Sequence, residues 1–117
     1  VTNYQSNNVG VLLNNGSGTF LSPTTYTTNA YPHQVSVTDV NGDNRPDIIV
    51  TNYQSNNVGV LLNAGGSTFL SQTTYTTDTN PRGVSVADVN GDNRPDLILT
   101  NYAANNVGVL LNAGGGT

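Results

Sequence analysis

The chain contains no cysteine, so neither a disulfide framework nor a thiolate metal site is possible, and the redox compartment is left undecided. Lysine and glutamate are also missing: the three basic residues are all arginine and the seven acidic residues are all aspartate. Strong helix formers are therefore scarce, and Val, Thr, Tyr, Asn and Gly, the vocabulary of strands and turns, take their place. A net charge of -4 without clustered basic residues argues against nucleic acid or an anionic membrane surface as partner. No apolar run approaches the ~20 residues of a membrane-crossing helix, so no membrane insertion is expected. No signal peptide is expected from the pattern, and the first residue is Val1 rather than methionine. Val1 stands in mid-pattern, as in a mature product or an excerpt of something longer.

What the chain does have is a repeat. The segment Val1–Asn8 recurs at Val50–Asn57 and, altered, at Leu99–Asn106, a period of 49 residues. Residues 1–49 and 50–98 agree at 38 of 49 positions, which makes them two copies of one structural unit; residues 99–117 begin a third. The chain thus reads as a single 1–117 array of about 2.4 repeats. Each period holds signals for four short strands. Val35-Ser36-Val37 alternates apolar and polar, Asp47–Tyr53 follows an Asp-rich loop, and Asn57–Asn63 places Val58, Val60 and Leu62 on one face. After a turn at Ala64-Gly65-Gly66, a fourth strand is expected from Thr68-Phe69-Leu70 toward Thr74–Thr77. Four strands recurring every 40–50 residues is the sequence form of a β-propeller blade. The fold expected is therefore all-β, with four-stranded antiparallel blades; an open β-solenoid or strand-swapped fibre is the competing architecture.

Six of the seven aspartates lie in two identical nonapeptides, Asp39–Asp47 and Asp88–Asp96. Oxygen-bearing side chains occupy positions one, three, five and nine of each. Calcium is a hard cation that takes about six to eight oxygens, and alternate residues of a coiled loop can turn theirs toward one centre. Gly42 lets the backbone coil, Asn44 tolerates a left-handed conformation, and Pro46 fixes the exit so that Asp47 can close the loop. Three carboxylates this close repel one another unless a cation neutralises them. The competing reading is a metal-free turn whose Asp and Asn side chains cap backbone amides. Magnesium or manganese is open as well, although a flexible all-oxygen loop favours calcium.

These loops, with the flanking Val35–Asp43, Pro46–Val50, Asn57–Asn63 and Gly18-Thr19-Phe20 segments, resemble the FG-GAP (VCBS-type) repeats, the family that includes the integrin α-subunit propeller. The resemblance spans essentially the whole chain. It implies one calcium ion per loop, about two per chain, held by Asp39, Asn41, Asp43, the Arg45 carbonyl and Asp47, and by Asp88, Asn90, Asp92, the Arg94 carbonyl and Asp96. Asn44 and Asn93 depart from the glycine usual in that family.

The remaining residues give weaker signals. His33 aligns with Arg82 in the second copy, so a repeated metal role is not expected and His33 reads as an exposed loop residue. Tyr4, Tyr53 and Tyr102 recur at the repeat period, as do Tyr26 and Tyr75, which points to packing between repeats, with sugar stacking as the rival reading. The copies differ most over residues 29–34, a connection that could bear ligand specificity or could have drifted. Asn15-Gly16-Ser17 is a glycosylation sequon found in one copy only. No cysteine, glutamate, lysine or repeated histidine is available for catalysis, and Asp78 has no visible acid or base partner, so no enzyme is expected.

Propellers close with about four to eight blades, so closure or extension through self-association, by strand swapping into a homo-oligomer or filament, is expected. The functional expectation is a calcium-binding extracellular or cell-surface scaffold for adhesion or structural assembly. The alternatives are a lectin that binds glycan between blades or on the loop face, and a non-catalytic accessory part of a larger secreted enzyme; the partner is then a glycan or a protein.

Overall fold

The periodic apolar positions build three successive antiparallel sheets. The computed structural model describes residues 1–114. In the first sheet, β1 (Thr2–Asn3), β2 (Asn8–Val11) and β3 (Thr24–Thr27) lie in that order. The middle sheet begins with β4 (Pro32–Thr38), β5 (Asp47–Asn52) and β6 (Asn57–Leu61). A short hairpin of β7 (Asn63–Gly65) and β8 (Thr68–Phe69) follows, and β9 (Thr73–Thr76) then returns as the fourth strand, giving the order β4-β5-β6-β9. The third sheet contains β10 (Pro81–Ala87), β11 (Asp96–Asn101) and β12 (Asn106–Leu110). Register follows the repeat: Val35 faces Val50 across β4 and β5 as Val84 faces Leu99 across β10 and β11. No helix occurs among the described residues.

Strand alternation explains how the sheets stack. On one face of the middle sheet Ile48, Val50 and Leu61 pack with Val9 of the first sheet. On the other, Ile49, Val58 and Val60 pack with Val84, Leu97 and Leu99 of the third. Covered on both sides, all six residues of β5 are buried. Burying one such aliphatic side chain is worth about 1.5–3 kcal/mol, so these two interfaces dominate the fold's stability. Polar contacts add register: the Thr51 hydroxyl accepts the Gln34 amide at 3.0 Å and donates to the Arg82 carbonyl of the third sheet at 2.9 Å.

Two strand expectations change. The third strand stops at Leu61, and Thr68-Phe69 does not start the fourth. The Asn63 amide is drawn to the Asp47 carboxylate at 2.8 Å, which takes it off the ladder. Gly66 and Ser67 both adopt positive φ, 60° and 61°, the geometry of a two-residue hairpin turn, so Thr68-Phe69 pairs back onto β7. The chain rejoins β6 only at Thr73. His33 is exposed as expected but belongs to β4, which continues past a bulge between Pro32 and Val35.

Candidate metal centre

Each Asp-rich loop links the first and second strands of its sheet, β4 to β5 and β10 to β11. The Asp39 Oδ1 atom accepts the Gly42 amide at 2.7 Å and, more weakly, those of Asn41 and Asp43, while Oδ2 accepts the Asn44 amide at 2.7 Å. Asp88 repeats this pattern with Asn90, Gly91, Asp92 and Asn93. The wrap requires left-handed backbone at two places: Gly42 and Gly91 both lie at φ 79°, and Asn44 and Asn93 at 62° and 63°. Asparagine tolerates that conformation, which is how it stands where the resembling family has glycine. Bonding to these amides, that of Asn93 first, holds the Asp88 carboxyl below the usual carboxylate range.

The last aspartate of each loop lies inside the protein. Asp47 is fully buried and accepts the Val40 amide at 2.9 Å and the Asn63 amide at 2.8 Å. Asp96 does the same with Val89 and Asn112. The Asn63 side chain donates to the Pro46 carbonyl at 3.0 Å. Asn112 donates both to Pro95 and, at 2.9 Å, to Val40 of the middle sheet's loop, so the two loops are mechanically connected.

Asp43 faces a cation of the chain's own. The Arg45 guanidinium donates to its Oδ2 at 2.8 and 3.1 Å, and this contact holds the Asp43 carboxyl low and raises Arg45. In the second loop Arg94 approaches Asp92 only to 4.0 Å and donates instead to the Ala113 carbonyl.

Of the residues singled out in the sequence, Asp39, Asn41, Asp43 and Arg45 lie in one loop with Asp47 at the strand start that follows, and Asp88, Asn90, Asp92 and Arg94 lie in the other with Asp96 at its strand start. Sequence reading does not anticipate their present hydrogen bonds. Among the described residues, no three carboxylate or histidine groups gather closely enough to hold a metal ion. Amide capping accounts for Asp39 and Asp47. The donor set nonetheless fits a hard cation: it is all oxygen, and each Asp47 oxygen accepts one N–H, leaving a second lone pair.

Tyr4, Tyr53 and Tyr102 meet residues of the variable connections, and Tyr26 meets the middle sheet's hairpin. Tyr4 lies 4.5 Å from Tyr31, ring centre to ring centre, and Tyr26 packs edge-on against Phe69 of the middle sheet's hairpin. The Arg82 guanidinium sits 3.9 Å over Tyr102 and 5.6 Å from Tyr53. Those connections attach partly by main chain: the Tyr31 amide donates to the Asn7 side chain, and the Asn80 amide to Asn56. The bond itself uses no side chain of the varying residue, although Tyr31 and Asn80 both lie at positive φ, 55° and 56°. Asp78 accepts from the Asn106 side chain at 2.8 Å, which holds its carboxyl low and ties the connection to β12.

A family model described as an FG-GAP-like repeat matches residues 1–50 and 39–99. Nothing matches among curated proteins or solved structures.

Proposed function

Because the chain belongs to the FG-GAP-like repeat family, we propose that it is a calcium-binding module of propeller blades, a non-catalytic scaffold that self-associates outside the cell for adhesion or structural assembly. The observation that supports this most is the pair of Asp-rich loops, 49 residues apart, with the same backbone conformation and the same all-oxygen donor set. Asp39, Asn41, Asp43, the Arg45 carbonyl and Asp47 would hold one ion, and Asp88, Asn90, Asp92, the Arg94 carbonyl and Asp96 the other. A bound calcium supplies positive charge to carboxylates that otherwise repel. The chain's own part is to hold those carboxylates: Asp39 and Asp88 by amides of their own loop, Asp47 and Asp96 by burial at a strand start. Arg45 is a stand-in cation at Asp43 that an ion would displace.

Calcium modules outside cells often bind at about 10⁻⁴–10⁻³ M, and ligand at 100 times its dissociation constant adds about 2.7 kcal/mol per site. Calorimetric titration of metal-stripped protein should give close to two calcium ions per chain, one for each loop, and chelation should lower the melting temperature. A stoichiometry near zero at millimolar calcium, or a melting curve indifferent to chelator, would overturn the assignment.

A further inference from the structure

We propose that a second copy of this chain enters the third sheet, residues 1–27 of the incoming copy taking the slot that residues 99–112 hold in the single chain. The inference rests on the self-associating reading above and is independent of calcium.

The two segments are interchangeable by composition. Val1–Asn14 and Leu99–Asn112 differ only at Val1/Leu99, Gln5/Ala103 and Ser6/Ala104. They also make the same strand pair, Thr2 opposite Val9 as Thr100 is opposite Val107. By the register of β10 with β11, Val84 would face the incoming Val1 and Gly83 the incoming Thr2. The strand pairing given up by the leaving segment is thus replaced in the same register, with Val1 standing where Leu99 stood.

The incoming segment also brings what the third sheet does not have. In the middle sheet β6 pairs on its outer side with β9, Val58 opposite Tyr75. Among the described residues nothing pairs with the corresponding edge of β12. In the first sheet β2 already carries β3, with Val9 opposite Tyr26 in the same register. Exchange therefore delivers a complete fourth strand.

Two exposed valines point to the same junction. Val40 is buried (6%) in the cluster against which Val86 packs. One period away, Val89 is 52% exposed, the counterpart of Val40, and Val37 is 59% exposed, the counterpart of Val86. Val37 opens onto an apolar groove lined by Val1, Val9, Val11 and Val35. With the first sheet of one copy set on β10 of another, the Val89 loop of the second copy covers the Val37 groove of the first, in the arrangement that Val40 and Val86 already show. Both solvent-facing valines are covered by this one operation.

Simple stacking on the outer face of β12, where Val107 is 62% and Val109 50% exposed, is the arrangement to be separated from exchange. The test is native mass spectrometry and light scattering of the full chain, with calcium and with chelator. Compared with it are Val37→Asp, Val89→Asp and a Val107→Asp/Val109→Asp double variant, each checked for folding by circular dichroism, with Val89→Ser held in reserve. Exchange requires that wild type assemble, that Val37→Asp and Val89→Asp each raise the dissociation constant about tenfold or more, and that the double variant assemble at least as well as wild type, because the substituted strand leaves. If the double variant dissolves the assembly, or the single variants do not, exchange is overturned while the scaffold reading survives. A monomeric wild type at ~100 μM, far above the usual concentration range of specific association, overturns both.

Discussion

The buried Asp47 carboxylate accepts the backbone amide of Asn63 at 2.8 Å, pinning the end of the third strand's segment to the start of the second. Its other oxygen holds the Val40 amide, so a single side chain joins loop, strand and hairpin. Asp47→Ala leaves two sheltered amides without acceptors. An unsatisfied buried group costs about 1–3 kcal/mol, so urea denaturation in excess chelator should show a loss of about 2–5 kcal/mol. Asp47→Asn, which keeps one acceptor oxygen, should fall between this variant and wild type. A change below about 0.5 kcal/mol, the range of ordinary surface substitutions, would contradict the structural role.

On the proposed calcium reading, the ion would compete with Arg45 for the Asp43 oxygen that the guanidinium now holds at 2.8 Å. Arg45→Ala removes the competitor and keeps the backbone carbonyl, so the first loop should bind calcium more tightly. Arg94, already 4.0 Å from Asp92, competes less, and Arg94→Ala should change affinity by a smaller factor. Calorimetry on the two single variants checks the asymmetry; equal effects at both loops would contradict it.

Acid should destabilise the fold in a defined window. Asp43, Asp78 and Asp88 all titrate lower in the folded chain than their ordinary value, through Arg45, Asn106 and the Asn93 amide respectively. A carboxyl depressed on folding contributes stability above its unfolded value, about 3.9, and loses it as pH falls through the folded value. The melting temperature in chelator should therefore be flat near neutrality and fall below about pH 4. All three groups are solvent-accessible and screened, so added salt should shrink the effect. A melting temperature that rises on acidification would contradict these contacts.

The sequence displays those features that repeat by identity. The 49-residue period, the four-strand content of each unit and the boundaries of the Asp-rich loops are all readable, because apolar alternation and carboxylate spacing are local signals. The β7–β8 hairpin is hidden. It depends on Asp47 capturing the amide of Asn63, sixteen residues away, and on a positive φ at Ser67, which serine's composition does not announce. The docking of the variable connection is hidden for a different reason. Main-chain donors of Tyr31 and Asn80 make part of it, and a main-chain N–H is shared by every residue but proline. The loop carboxylates lie between these cases: their membership in one loop is legible, but the guanidinium at Asp43 is not. Arginine at position seven reads as a carbonyl donor, and only its side-chain path shows that it reaches back two residues.

The burial of every residue in β5 has a consequence for how the molecule comes apart. A stack in which each sheet touches only its neighbours behaves as a one-dimensional chain of coupled units, and such chains open from their ends. The backbone amides of Ile48 to Thr51 are shielded by a sheet on either side and become accessible only when an outer layer has already detached. Deuterium uptake would thus read as a clock running inward, with the middle strand as its slowest hand, and a protease would trim the periphery long before it met the centre.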